Sequence, residues 1–170
     1  MATFVTHEFF VDCTGLVSDS TVPVGGRTHI ASTFDGVWLR LYINGQFDSE
    51  ELANAANIDY SDDDVLIGAA NFSGGFFRAF QGIVDDVRIW DHARDAATIA
   101  AGMGCSLDGT EPGLLAYYSF NFGDARDDSG HGHDGAAEGL VGYVLSNDLC
   151  LPFASGFESG DPSDWSASVP

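Results

Sequence analysis

Thr28-His-Ile-Ala-Ser-Thr-Phe34, Asp35-Gly36, Val37-Trp-Leu-Arg-Leu-Tyr-Ile43 and Asn44-Gly45 follow one another without interruption, and their order decides the fold. Two runs rich in β-branched and aromatic residues flank Asp-Gly, and the second ends on Asn-Gly. Both dipeptides supply the positive φ angles that two-residue β-turns require. The reading is strand, tight turn, strand, tight turn. Alternation along the second strand puts Leu39, Leu41 and Ile43 on one face, expected to be core, and Trp38, Arg40 and Tyr42 on the other, facing solvent or a ligand.

The pattern continues downstream. Val65-Leu-Ile-Gly68, Phe76 to Phe80, Gly82 to Trp90 and Leu114-Leu-Ala-Tyr-Tyr-Ser-Phe120 read as further short strands between Gly, Asp and Asn, the mark of an all-β sandwich. Asn71-Phe-Ser-Gly-Gly75 reads as a loop and Asp59-Tyr-Ser-Asp-Asp-Asp64 as a solvated acidic one. A single short helix is expected over Asp95 to Ala101, with Asp95 as N-cap and Gly102 or Gly104 ending it. If Val87 and Ile89 point into the core, strand parity turns Asp85 the same way. A carboxylate there must be paired, hydrogen-bonded or metal-bound.

The 170 residues are the size of one domain, 1–150, followed by a Ser-, Gly-, Asp- and Pro-rich tail, 151–170. Against 26 Asp and Glu stand six basic residues, all Arg, a net charge of −20. That field repels polyanions, so nucleic acid is excluded as a partner, while cations and neutral ligands are not. No apolar run approaches the roughly 18 residues of a membrane span. The first residues, Met1-Ala-Thr-Phe-Val-Thr-His-Glu8, carry no signal peptide, so the chain is expected to be cytosolic or to begin further upstream. Cys13, Cys105 and Cys150 form no CxxC. They are either one disulfide, preferably Cys105 with Cys150, plus an odd thiol, or three buried small side chains.

Arg27-Thr-His-Ile-Ala-Ser-Thr-Phe-Asp-Gly36, Leu39-Arg-Leu-Tyr-Ile-Asn-Gly45 and Gly82-Ile-Val-Asp-Asp-Val-Arg-Ile-Trp-Asp-His-Ala-Arg94 resemble, in order and spacing, the LamG-like jellyroll domains of the concanavalin A-like lectin/glucanase superfamily. The resemblance implies an antiparallel jellyroll of two sheets, frequently extracellular or at the cell surface as part of a longer protein, and commonly holding a structural calcium. The tail Phe157-Glu-Ser-Gly-Asp161 is similar to the ends of exported bacterial proteins. One departure stands out: the strand and turn that usually open such a domain lie here at 114–135, after the strand and helix that usually close it. The sandwich is then either incomplete, a piece of a tandem array, or completed by its C-terminal strand like a circular permutant.

The resemblance also implies a calcium set. Carried over by position, the ligands are Asp127 at the Asp-Ser-Gly turn, Asp85 on the preceding strand, and carbonyls around Ser129 and His131. His131 stands where the family usually has Asn. Read from the residues alone, Asp127 can equally cap its own turn and Asp85 accept backbone N–H groups. For ligand contact the candidates are Trp38, Tyr42 and Trp90, flat aromatics suited to stacking on sugar rings. No catalytic residues are expected. Glucanases of the superfamily carry Glu-x-Asp-x-x-Glu, and no such spacing exists among the six Glu present. Gly-x-Ser-x-Gly, His-Glu-x-x-His and phosphate loops are also absent, and Asp85 and Asp86, adjacent on a strand, face opposite ways. The expected function is a non-catalytic module binding a glycan or an extracellular protein, or a structural, adhesive spacer without a glycan ligand.

Overall fold

A computed structural model describes residues 8–11, 14–23, 25–53, 64–72, 75–77, 80–139 and 141–144. Cys13, Cys150, Asp59 to Asp63 and the tail 151–170 lie outside them. The fold is all-β, with one short helix among the described residues. A first hairpin, β1 (Glu8–Val11) and β2 (Thr14–Val17), leads into a meander of β3 (Ile30–Phe34), β4 (Trp38–Ile43) and β5 (Gln46–Leu52). A small hairpin, β6 (Ala70–Phe72) and β7 (Gly75–Phe77), precedes β8 (Val87–Trp90), α1 (Ala96–Gly102) and β9 (Leu114–Tyr118). Every strand pair is antiparallel. No helix among the described residues is long and apolar enough to cross a membrane.

The turn chemistry acts as expected at Asn44-Gly45, while the first turn is shifted by one residue to Gly36-Val37, since Asp35 N–H donates to the Trp38 carbonyl and β4 begins at Trp38. Gly36 takes φ 91°, and Asp35 Oδ1 accepts from Val37 N–H and Trp38 N–H at 3.0 and 2.8 Å. These bonds, with that from the Arg40 guanidinium, hold the Asp35 carboxyl down at about 2. At the second turn Asn44 and Gly45 take φ 50° and 73°. A Cβ on Gly45 would come within 2.8 Å of the Ala100 backbone, so helix α1 seats directly on this turn.

Leu39 and Leu41, 0% and 2% exposed, join Leu16, Phe34 and Ala53 in one apolar cluster. Each buried Leu contributes about 1.5–3 kcal/mol. The alternation fails at one point, because Tyr42 is also buried, its ring edge-on to Phe47 at 6.1 Å. The cause lies in the partner strand. Leu41 pairs with Ser49 but Tyr42 with Phe47, leaving Asp48 as a bulge that shifts the register. The displaced Asp48 carboxylate accepts from Asp19 N–H and Ser20 N–H and ties the loop after β2 to the meander.

Three further expectations change. Val65-Leu-Ile-Gly68 is not a strand, and Val65 is exposed. Ala70–Phe72 and Gly75–Phe77 pair as antiparallel strands where a loop was expected at Asn71–Gly75. The strand expected over 82–90 is only β8, because Asp86 adopts a left-handed φ of 55° and breaks the alternation that turned Asp85 inward. The helix is as read, with Asp95 Oδ1 accepting from Thr98 N–H at 2.7 Å, although it runs through Gly102 to a C-cap at Met103.

The displaced strand β9 pairs with β8, Val87 opposite Tyr118 and Trp90 opposite Leu114. It buries Leu114, Ala116, Tyr117 and Tyr118. The C-terminal strand therefore folds back onto the strand before the helix. Cys105, in the α1–β9 connection, is disulfide-bonded, so it is not the free buried side chain of the second cysteine reading.

Candidate functional site

The segment 124–135 is a Gly- and Asp-rich corner folded around one carboxylate. Asp127, 8% exposed, receives Tyr117 N–H (3.0 Å), Ser129 N–H (3.0 Å) and the Ser129 hydroxyl (2.6 Å) on Oδ1, and His133 N–H (3.0 Å) on Oδ2. Its own N–H donates to Asp134 Oδ1 at 2.8 Å. Gly130 and Gly132, at φ 78° and 83°, let the chain wrap that tightly. The Tyr118 hydroxyl closes the corner by donating to the His133 carbonyl. Burial pushes the Asp127 carboxyl up, but the bonds from Ser129, Tyr117 and His133 outweigh it and hold the group well below the usual carboxylate range.

The α1–β9 connection packs against this corner. A Cβ at Gly109 would lie 2.1 Å from the Asp128 carbonyl, so only glycine fits. Glu111 accepts Asp108 N–H on one carboxylate oxygen and Gly109 N–H on the other, which fixes the loop. Between loop and corner lies an open cleft of about 410 Å³, lined by Asp91, Thr110, Glu111, Leu115, Ser129 and His131 among others. His131 Nδ1 stands 3.0 Å from Ser129 Oγ, and Leu115 is exposed at the cleft wall.

On the other side of β9 lies a group that sequence reasoning missed. The Tyr117 hydroxyl donates to Asp86 Oδ1 at 2.5 Å. Burial first, then Asp86, pushes that hydroxyl up to about 12. The Arg88 guanidinium stands 3.7 Å from Asp86, covers the Tyr117 ring and donates to the Gly102 and Cys105 carbonyls, binding the helix end to the sheet. His29 lies close by with Nδ1 buried and unpartnered. The only sequence signal was the pair of adjacent acids, and parity pointed to the wrong member of it.

Burial, then Arg88, holds the His29 imidazole below its ordinary 6.5, with Asp86 acting the other way. The unfolded chain thus binds this proton more tightly, so stability falls as pH drops below 6.5. For Asp127, also depressed, the loss begins as pH drops below the ordinary 3.8. Urea midpoints followed from neutral to acid pH should show two successive declines, and His29→Gln should remove the first alone. A first decline that persists in H29Q would assign it to another group.

The residues singled out from sequence are thus divided. Asp127, Ser129 and His131 come together in the corner; Asp85 does not join them. It accepts Asp86 N–H at 3.1 Å and faces the Arg27 guanidinium at 3.6 Å. Among the described residues no group of three or more His, Cys, Asp and Glu side chains is placed to hold a metal ion. With Asp127 Oδ1 already bound by three donors, these residues do not fit the calcium site that the resemblance implied. Of the aromatics, Tyr42 is buried and presents no face, Trp90 has the Arg94 guanidinium 3.8 Å over its ring, and Trp38 is half-buried.

Residues 5–100, covering the first hairpin, the meander, β8 and most of α1, match the family model of the concanavalin A-like lectin/glucanases superfamily. The chain belongs to this superfamily. The matched part of the lectin/glucanase domain ends before β9, so the strand that pairs with β8 lies outside it. A proposed carbohydrate binding protein from Bacteroides ovatus has a similar fold, with a TM-score of 0.62, 23% identity and 70% of this chain covered. An S-layer domain-containing protein from Clostridium thermocellum aligns with a TM-score of 0.40 at 24% identity over 52% of this chain. The present chain spans 36% and 44% of those two chains. No curated protein matches it.

Proposed function

We propose that this lectin/glucanase-type domain is a non-catalytic module of a longer extracellular protein that binds a neutral glycan in the cleft between the 109–115 loop and the 127–131 corner. The observation that carries the reading is the lining of that cleft. Asp91, Thr110 and His131 offer hydrogen-bonding groups beside the exposed apolar Leu115, and glycan sites combine such groups to bond hydroxyls and cover sugar C–H faces. The net charge of −20 selects against anionic polysaccharides. Two carboxylates line the cleft, but both Glu111 oxygens accept backbone N–H groups and hold the loop, which removes it as the second acid of a hydrolase pair. The disulfide at Cys105 supports an oxidising, extracellular location.

His131 is exposed and its ring touches the corner only through Ser129 Oγ, so His131→Ala is expected to keep the fold, which its unfolding transition checks. On a glycan array followed by calorimetry, the wild-type chain should retain a neutral oligosaccharide, and H131A should bind it about tenfold more weakly, the loss of one hydrogen bond to sugar. The covering of Tyr42 and Trp90 favours the second reading, a spacer domain. An array without retained glycans would favour that reading, and a hit that H131A leaves unchanged would place glycan binding outside this cleft.

A further inference from the structure

We infer that the corner at Asp127 is a metal-free hub, in which protein N–H and O–H donors occupy the positions around the carboxylate that a calcium ion would take. Four donors converge on Asp127, three of them on Oδ1. A calcium ion needs six to eight oxygen ligands, and it repels the positive ends of N–H dipoles aimed at the same oxygen. The neighbouring acids are engaged in the same way. Asp134 accepts Asp127 N–H, and Asp128 accepts from the Ser119 hydroxyl. Ser129 Oγ is turned toward Asp127 and His131 Nδ1.

Asp85, the other acid the resemblance assigns to a cation, is set apart by topology. Tyr117 directs its N–H to Asp127 and its C=O to Asp128 N–H. In an antiparallel pair both backbone groups of one residue face the same edge, so the corner runs along the edge of β9 remote from β8. Asp85 lies two residues before β8, across that strand pair, where Arg27 supplies a positive charge. The corner therefore does by hydrogen bonding what a cation would do: it joins β9 to the chain that follows it.

The test is thermal unfolding of the full chain in calcium, in magnesium at equal ionic strength, and in chelator, with wild type and Asp127→Asn. Magnesium controls for diffuse binding to so acidic a protein. Coincident wild-type midpoints in calcium and magnesium support the inference, and so does a calcium-selective rise that D127N leaves undiminished, since that ion would sit elsewhere. A calcium-selective rise that D127N abolishes overturns it. If D127N does not fold, calcium calorimetry on the wild type and on Asp134→Asn decides: no saturable, calcium-selective site, or one that D134N leaves unchanged, supports the inference, and one that D134N abolishes overturns it.

Discussion

Asp127→Ala is expected to destabilise the domain by about 3–5 kcal/mol, because it removes the acceptor of four donors at once, one of them the Tyr117 N–H of a buried strand. The Tyr117 N–H is the costliest orphan, because it lies in a buried strand and points to Asp127 alone. Asp127→Asn keeps the shape but loses the charge and points an amide N–H₂ at groups that also donate, so it should cost about half as much. Urea unfolding at constant slope measures both. A loss under about 1 kcal/mol for the alanine variant would mean that the corner is peripheral to the fold.

Tyr117→Ala is expected to cost about 3–5 kcal/mol as well, for a different reason. The side chain is 2% exposed, carries the Arg88 guanidinium over its ring and holds Asp86 through its hydroxyl. Tyr117→Phe keeps the ring and removes the hydroxyl that donates to Asp86 and accepts from Leu107 N–H, so it should cost about 1–2 kcal/mol. The pair of variants tests closure. If β9 belongs to the same cooperative unit as β4 and β8, Y117A shifts the single transition of the whole domain. If β9 were merely apposed, a first transition would separate from one that keeps the wild-type midpoint.

Much of the architecture was legible because it depends on neighbours in sequence. Asp35-Gly36 and Asn44-Gly45 demand their turns whatever surrounds them, and Leu39 and Leu41 alternate into the core by strand geometry alone. Asp95 caps the helix through its own first turn, three residues on. The order of motifs also showed, before any coordinates, that 114–135 stood in an unusual place, and left two arrangements open. In the candidate site, Asp127 was legible as the acid of a Gly-rich turn, and Ser129 and His131 as its companions.

The remainder was decided by contacts between segments distant in sequence. A bulge at Asp48 buried Tyr42, and nothing in β4 itself encodes the register of β5. The left-handed backbone at Asp86 exchanged the roles of the two adjacent acids, giving Asp86 rather than Asp85 the contact with Tyr117, 31 positions away. The donors around Asp127 come from β9 and from its own loop, so whether that carboxylate meets a cation or N–H groups depends on which strand edge the corner lies along. Local turn chemistry and alternation are written in the chain because they act over two to four residues. Pairing register, burial on the second face and the use made of a carboxylate belong to the tertiary structure, because the partner that satisfies each group is chosen only when the strands dock.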